Sequence, residues 1–278
     1  MRMAGKSNTI NRIRSISPVA IGVFILVAVV ILFIGLPVIS LFLKIPPDCF
    51  FGELRSAVVV DALRLSFLTS ITSAALIIIF GTPVAYVNAR YRYPGKVLVD
   101  TIIDLPVVIP PAVAGIALLM AFGRMGVVGQ YLNMAGITVG FTTIAVIMAQ
   151  LFVASPFYMR QARSSFEDVD VVYENAARTL GASRLETFFY VTVPIAINGL
   201  ISGLIMAWAR ALGEFGATIL FAGNFPGRTQ TMPLAIYTAM ESDLNASIAI
   251  SIILVIVSFI VIVAVKLLTR GAVSDANS

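Results

Sequence analysis

Six apolar stretches, each about as long as a membrane-spanning helix, constrain the fold of this chain more than any other feature of its sequence. A helix needs about 20 apolar residues to cross the hydrocarbon layer of a bilayer. The stretches cover residues 18–43, 65–88, 105–122, 141–160, 195–220 and 246–268. They predict an all-α, polytopic membrane protein with about six transmembrane helices, which form a single domain over residues 1–278.

The composition favours a membrane protein, because 59% of the residues are hydrophobic and only 12% are charged. A soluble domain carries about a quarter charged residues. The first apolar stretch follows a basic segment, as in a signal peptide, but its run of about 25 residues exceeds the 7–15 of a cleavable signal. We therefore expect an uncleaved first span.

The Lys and Arg residues of the connecting segments predict the orientation of the spans. If the N-terminus is cytoplasmic, thirteen of the nineteen Lys and Arg residues fall in inner segments and five in outer ones. The inner residues are Arg2, Lys6, Arg12, Arg14, Arg90, Arg92, Lys96, Arg160, Arg163, Arg178, Arg184, Lys266 and Arg270. Cytoplasmic loops carry an excess of Lys and Arg. The sequence thus predicts that both termini are cytoplasmic, and membrane topology explains the net charge of +5 without nucleic-acid binding.

The sequence lacks the residues on which most enzymatic sites depend. It contains no His and a single Cys, Cys49. The usual zinc, haem and iron–sulfur ligand sets are therefore absent, as are a Cys–His nucleophile pair and an internal disulfide. The Gly-Lys-Ser run at residues 5–7 lacks the preceding glycine that a phosphate-binding loop requires. We expect no catalytic, metal, cofactor or nucleotide site in this chain.

The connection predicted between the fourth and fifth spans, residues 161–194, is the most informative loop of the chain. Good helix formers run from Val172 to Leu180, and Gly181 follows at a position where glycine commonly ends a helix. The helix predicted at about residues 172–181 carries the small side chains of Ala176 and Ala177. The residues alone leave two interpretations open: a solvated connector, or a short helix that docks into a partner.

One set of residues in this loop has the spacing of a known motif: Asn175, Ala176, Ala177, Gly181 and the run Val191-Thr192-Val193-Pro194. The set resembles the EAA motif of the permease subunits of bacterial and archaeal ABC importers. That motif reads Glu-Ala-Ala, three residues, Gly, nine residues and Ile-x-Leu-Pro, and the spacing here matches at every step. Asn175 stands where the motif has Glu, although Glu174 is adjacent.

The resemblance implies the MetI-like fold of a type I ABC importer permease in a prokaryotic plasma membrane. It implies that the short helix is a coupling helix, which sits in a groove of a separate ATPase subunit that holds ATP and Mg. The residues assigned to this coupling are Glu174, Asn175, Ala176, Ala177, Gly181 and Pro194. The implied partners are a second identical permease, two ATPase subunits, an external binding protein and membrane lipid, without nucleic acid.

The third predicted span begins with an acidic residue and several prolines: Asp104, Pro106, Pro110 and Pro111. Prolines free backbone carbonyl groups, which within lipid must be satisfied by neighbouring helices or by water in a cavity. These residues are candidates for a pathway or gate helix, and ordinary packing is the alternative.

The fifth predicted span holds a glycine pair and an ion pair. Gly199 and Gly203 form a GxxxG pattern, which permits close helix contact. Arg210 and Glu214 lie four residues apart and can pair on one helix face. A charge at mid-membrane costs roughly 2.5–3.5 kcal/mol on insertion scales, so an unpaired one is disfavoured. The pair is either a structural contact or a source of positive potential beside an anion's route.

The segment from Arg210 to Leu234 strongly resembles the permease of molybdate/tungstate importers, and sulfate/thiosulfate permeases are close relatives. The resemblance implies an external oxyanion-binding protein. Candidate contacts to that protein lie in the outer loop of tight turns after the fifth span: Asn224, Arg228, Thr229 and Gln230. A sulfate/thiosulfate permease and a secondary carrier that works without ATP remain the alternatives. A membrane enzyme is a more distant alternative, because the sequence shows no activated nucleophile or metal cluster.

Overall fold

The computed structural model describes residues 18–275, and all regular structure within this range is helical. The basic residues Arg2, Lys6, Arg12 and Arg14, which contribute to the predicted orientation, lie outside the described residues. Helix α1 (Pro18–Lys44) belongs to a first unit that ends at Ile45. Most of its apolar side chains are exposed, which suits a helix surrounded by lipid.

A second unit begins at Pro46. Its helices are α2 (Pro47–Leu54), α3 (Ala57–Arg90), α4 (Lys96–Val108), α5 (Pro111–Phe122), α6 (Gly129–Met134), α7 (Thr143–Glu167), α8 (Val171–Thr179), α9 (Arg184–Thr187), α10 (Val193–Leu212), α11 (Gly216–Phe221), α12 (Met232–Ser242) and α13 (Leu244–Asp275). A π-helical turn, Phe188–Thr192, joins α9 to α10. Helices α1, α3, α7 and α13 and the continuous segment Arg184–Leu212 are long and apolar enough to cross a membrane. Helices α1, α3, α7 and α13 correspond to the first, second, fourth and sixth predicted spans, respectively, and the segment Arg184–Leu212 corresponds to the fifth.

The third predicted span is a pair of bent helices that together are apolar enough to make a sixth span, and only the prediction of one continuous helix over residues 105–122 is wrong. Residues 105–122 are divided between α4 and α5, which are bent by 116° relative to each other. The residue before a proline is pushed towards extended backbone, and Ile109 has φ −73° and ψ 141°. Pro110 and Pro111 therefore end α4 and restart the chain in a new direction as α5.

The fifth predicted span also differs from the structure. Its helical segment begins at Arg184 instead of residue 195, and α10 ends at Leu212 instead of residue 220. Gly213 caps α10, and a break at residues 213–215 separates it from α11. Two helix breaks, one after α4 and one after α10, thus interrupt the bundle where a simple count of apolar residues predicted continuous spans.

Helix α7 forms the centre of the second unit, because it packs against both α3 and α10. Tyr158 and Phe166 of α7 are almost completely buried there, together with Ile77 of α3. The GxxxG pattern of α10 lies on the α7 side. A Cβ atom on Gly199 would lie 1.8 Å from Ser165 Oγ, and one on Gly203 would lie 2.9 Å from Gln161 Cβ. The close helix contact predicted from the two glycines is confirmed, and it lies within one chain.

Replacing Gly199 with leucine is expected to destabilise the protein by about 1–3 kcal/mol, the usual cost of overpacking a tight core. Leucine cannot be placed without moving α10 away from Ser165. Gly22→Leu in α1 is the matched control, since nothing lies within 4 Å of a Cβ atom at that position. Thermal unfolding of the detergent-purified variants measures the difference, and equal melting temperatures for the two would contradict the packing account.

Candidate functional site

Helix α8 is a short helix with a stabilising cap at each end. Asp170 accepts a hydrogen bond from the backbone N–H of Val172 at 2.9 Å, which satisfies one free donor of the first turn. After the helix, Gly181 adopts φ +97°, its N–H donates to Arg178 O at 3.0 Å, and the N–H of Ala182 donates to Ala177 O at 3.1 Å. These bonds form a Schellman cap. The helix predicted at residues 172–181 is present, and it ends two residues before Gly181.

The connection around α8 is shorter than the predicted loop of residues 161–194. Helix α7 continues to Glu167, and the next span begins at Arg184. Only residues 168–183 therefore lie between the two long helices. Helix α8 thus lies in a short connection between the ends of the two long helices.

One side of α8, which we call the coupling face, is open to a partner. Its members are Val172, Tyr173, Ala176 and Leu180, all exposed, with exposed Asn175 beside them. Leu180 is 89% exposed, an unusual position for a large apolar side chain in a polar loop. Pro194, also assigned to coupling from the sequence, is exposed in the first turn of α10. Small and apolar side chains on a capped helix form a surface suited to a groove.

Glu174 lies on the opposite side of α8, and only 3% of it is exposed. Its Oε1 atom accepts hydrogen bonds from Arg90 Nε and from Thr192 Oγ1, each at 2.9 Å. Arg90 also donates to Val169 O at 2.8 Å. Glu174, assigned to coupling from the sequence, therefore points into its own chain and away from the exposed side of α8.

Sequence analysis missed the two partners of Glu174. Arg90 was counted only as one of the inner positive charges, and Thr192 occupies the unspecified position of the Ile-x-Leu-Pro element. The pairings span 84 and 18 residues of sequence, respectively. The sequence showed only that an acidic residue stands next to the motif; its burial, which requires a partner for the carboxylate, is seen in the structure.

Helix α4 contributes no buried residue, and ion pairs connect it to α7. Arg163 of α7 pairs with Asp100 at 2.8 Å, and Arg160 of α7 pairs with Asp104. Asn88 of α3 donates to Asp100 Oδ1 at 3.1 Å. Asp104, predicted as part of a gate helix, is thus paired on the α7 side, while Pro106 lies within α4.

The break between α10 and α11 is organised by Glu214, which is 1% exposed. Its Oε2 atom lies 2.7 Å from Arg210 NH1, as the four-residue spacing predicted. Its Oε1 atom accepts a hydrogen bond from the backbone N–H of Ala217 at 2.8 Å, so that the carboxylate also caps α11. Because the Arg210 side chain remains 30% exposed, part of its guanidinium faces outwards.

The two helix breaks lie side by side. A Cβ atom on Gly216 would lie 2.6 Å from Pro111 Cβ, and one on Gly115 would lie 2.8 Å from Ala217 O. Helix α5 therefore packs closely along α11, and Pro110 and Pro111 stand next to the break that Glu214 organises. The structure brings together two groups of residues that the sequence suggested separately as pathway candidates.

The outer loop of residues 224–231 differs from its prediction. Thr229 and Gln230, expected to contact an external protein, are buried. Thr229 Oγ1 accepts a hydrogen bond from the N–H of Phe225 at 3.0 Å, so it holds the turn from within. Asn224 is half-buried and donates to Thr238 at 2.8 Å, which leaves Arg228 as the exposed member of the predicted set.

Metal ligands are not gathered anywhere in residues 18–275, because no group of three or more His, Cys, Asp or Glu side chains is placed to hold an ion. The acidic residues Glu174, Asp100, Asp104 and Glu214 are instead paired with arginines. These four carboxylates thus take part in ion pairs within the chain.

Comparison with known proteins identifies similar sequences. Residues 77–273 match the family described as the binding-protein-dependent transport system inner membrane component. The chain is 45% identical over 213 residues to the probable transport system permease protein NifC of Clostridium pasteurianum, covering 76% of this chain and 74% of that protein. It is 40% identical over 207 residues to the molybdenum transport system permease protein ModB of Escherichia coli K12, covering 72% and 90%. It is 38% identical over 257 residues to the molybdate/tungstate transport system permease protein WtpB of Pyrococcus abyssi, covering 92% and 95%.

Two solved structures share the fold. One is a bacterial ABC transporter involved in import of the acidic polysaccharide alginate, with a TM-score of 0.68, 16% identity, and coverage of 91% of this chain and 95% of that one. The other is the inward-facing MetNI methionine ABC transporter, with a TM-score of 0.59, 18% identity, and coverage of 77% and 95%. The predicted fold class, an all-α polytopic protein of the MetI-like kind, is confirmed.

Proposed function

This chain belongs to the family of inner-membrane components of binding-protein-dependent transport systems, and we propose that it is the permease subunit of an ATP-driven importer of molybdate and tungstate. The likeness to relatives named for molybdenum or molybdate/tungstate transport carries the proposal, because it covers most of this chain. The segment from Arg210 to Leu234 supports the same cargo. The permease has no catalytic role of its own, and ATP and Mg bind to the partner ATPase.

The coupling face of α8 is the contact with the ATPase. Two copies of the permease enclose the pathway, and each presents its α8 to one of two ATPase subunits. When the ATPases close on ATP, the helix in each groove moves and carries the adjoining spans between inward-open and outward-open states. Asn175, Ala176 and Ala177 lie on or beside the contacting surface, and Gly181 sets the direction in which the chain leaves it.

The orientation follows from this contact. Helix α8 must face the cytoplasm to meet an ATPase, and the excess of Lys and Arg in the same set of segments supports this. Both termini are then cytoplasmic in a prokaryotic plasma membrane. The loop with Asn224 and Arg228 faces outwards, where an external oxyanion-binding protein delivers the cargo.

A competition experiment tests the cargo. The permease is reconstituted with its ATPase in liposomes that contain ATP, and the external binding protein is loaded with labelled molybdate. We expect excess tungstate to abolish uptake of label and excess sulfate to leave it nearly unchanged. Equal competition by sulfate would contradict the proposal in favour of a sulfate/thiosulfate permease.

Replacing Leu180 with aspartate is expected to reduce the amount of ATPase that co-purifies with the permease by at least about tenfold, since burial of a leucine contributes about 1.5–3 kcal/mol and the aspartate removes that contribution. Met125→Asp is the matched control, because Met125 is 96% exposed in another connection. A Leu180→Asp variant that retains its ATPase as well as Met125→Asp does would exclude the coupling face.

A further inference from the structure

The carboxylate of Glu174 joins three segments that meet at the base of α8. Arg90 lies in the last turn of α3, and Thr192 lies in the π-helical turn where the span Arg184–Leu212 begins. We propose that Arg90, Glu174 and Thr192, which we call the α8 joint, position the coupling helix by fastening it to two membrane-spanning helices. The inference rests on the proposed function, since it assigns the residues through which movement of α8 reaches the spans.

The α8 joint fixes the orientation of α8 as well as its attachment to α3 and to the π-helical turn. The Arg90 side chain is 10% exposed and the Glu174 side chain 4%. Arg90 Nε and the Thr192 hydroxyl both donate to Glu174 Oε1 at 2.9 Å, and Arg90 NH2 lies 2.9 Å from the same atom. Hydrogen bonds to an ionised group are short and roughly twice as strong as neutral ones. The bonds fix both the distance and the angle between α8 and its neighbours.

Without the α8 joint, the remaining attachment of α8 would be weak. The helix is connected to α7 through residues 168–170 and to α9 through residues 180–183. Both connections are short loops, about which a nine-residue helix can pivot. A pivoting helix follows its ATPase without moving the spans. The α8 joint removes this freedom, because it adds two attachment points away from the chain connections.

The end of α3 carries the movement further. Asn88, two residues before Arg90, is 2% exposed and donates to Asp100 of α4, which also pairs with Arg163 of α7. Helix α4 has no buried residue of its own and ends at the 116° bend into α5. Displacement of the end of α3 by the α8 joint is therefore passed to α4, next to the two helix breaks.

The π-helical turn fits this role. Thr192 is completely buried and lies within the wide turn, and its hydroxyl donates to Glu174 Oε1 at 2.9 Å, with Thr187 O as a longer contact at 3.5 Å. Single π-turns inside α-helices are frequent at functional sites. A buried ion pair is a poor device for stability alone, since well-packed apolar residues of similar size hold a fold equally well. A directional contact between moving parts explains the polar residues better.

Two substitutions at Thr192 test the α8 joint with matched packing changes. Thr192→Val keeps the shape and removes the hydroxyl, whereas Thr192→Ser keeps the hydroxyl and removes a methyl group. The measurement is molybdate uptake per ATP hydrolysed in liposomes that contain the full complex with its external binding protein. We expect Thr192→Val to lower this ratio by about tenfold, the factor that corresponds to one hydrogen bond to a charged group, and Thr192→Ser to stay within about twofold of wild type.

A role in stability alone would lower the amount of assembled complex and leave the ratio unchanged. Equal ratios for Thr192→Val and wild type, in a wild-type complex that transports molybdate with ATP, would overturn the α8 joint and leave the proposed function intact. A loss in Thr192→Ser as large as in Thr192→Val would also overturn it, because packing instead of the hydroxyl would then be responsible. A wild-type complex without ATP-driven uptake would overturn both.

Discussion

A Gly181→Leu variant is expected to hydrolyse ATP at a near-normal rate while importing at least about tenfold less molybdate per ATP, a loss equivalent to about 1.4 kcal/mol of coupling. Gly181 has φ +97°, a conformation that costs an L-residue about 1–2 kcal/mol. Leucine therefore unwinds the Schellman cap, and the chain leaves α8 in another direction. The coupling face remains intact, so the ATPase still binds, but the movement no longer reaches α9 and α10.

The matched control for this variant is Gly136→Leu. Gly136 has φ +82°, and at both glycines nothing lies within 4 Å of a Cβ atom, so the two substitutions impose similar backbone strain without a clash. Gly136 follows α6, away from α8 in the sequence. We expect Gly136→Leu to keep the wild-type ratio of uptake to ATP hydrolysis. A similar loss in both variants would mean that general strain, instead of the exit from α8, causes the defect.

Removing the carboxylate of Glu214 is expected to destabilise the permease by about 3 kcal/mol, the lower end of the cost of breaking a buried ion pair. Glu214→Ala leaves Arg210 without its partner and removes the acceptor for the N–H of Ala217, so α11 loses its cap. The lower end applies because Arg210 is 30% exposed and can turn towards water. Thermal unfolding in detergent measures the loss.

Two further variants separate the charge from the cap. Glu214→Gln keeps an acceptor for Ala217 N–H and should recover roughly a third of the lost stability, since the cap contributes about 1 kcal/mol. The double variant Arg210→Met with Glu214→Leu removes both charges and should be only about 1 kcal/mol less stable than wild type, because it still lacks the cap. A double variant less stable than Glu214→Ala would contradict the ion-pair account, because it would show that Arg210 stabilises the fold independently of Glu214.

Local sequence features predicted the continuous spans well. Runs of apolar residues in α1, α3, α7 and α13 are long enough that only a membrane-spanning helix can satisfy their backbone within lipid. The predictions of a continuous helix over residues 105–122 and over residues 195–220 were wrong for a common reason. Apolar composition does not show where a helix ends and the chain changes direction, so the break at Pro110 and the one after Gly213 were both counted as parts of continuous helices. The prolines were recognised, yet the size of the bend depends on the packing of α5 against α11.

The candidate site was predictable to the extent that it is local. Capping residues and small side chains located α8, because Gly181 and the alanines act within one turn of the helix. The partners of Glu174 were not predictable, since Arg90 and Thr192 reach it only through the packing of three separate helices. The outer loop shows the same limit. Turn-forming residues predicted the loop, but the burial of Thr229 and the exposure of Arg228 depend on the fold.

Solute flux in liposomes of defined composition tests the central claim most directly. The permease is reconstituted alone or with its ATPase, and uptake of labelled molybdate from the external binding protein is measured with and without internal ATP. The account predicts uptake only when the ATPase and ATP are both present. Uptake by the permease alone, at a rate unaffected by the ATPase, would contradict the claim that movement at α8 drives transport.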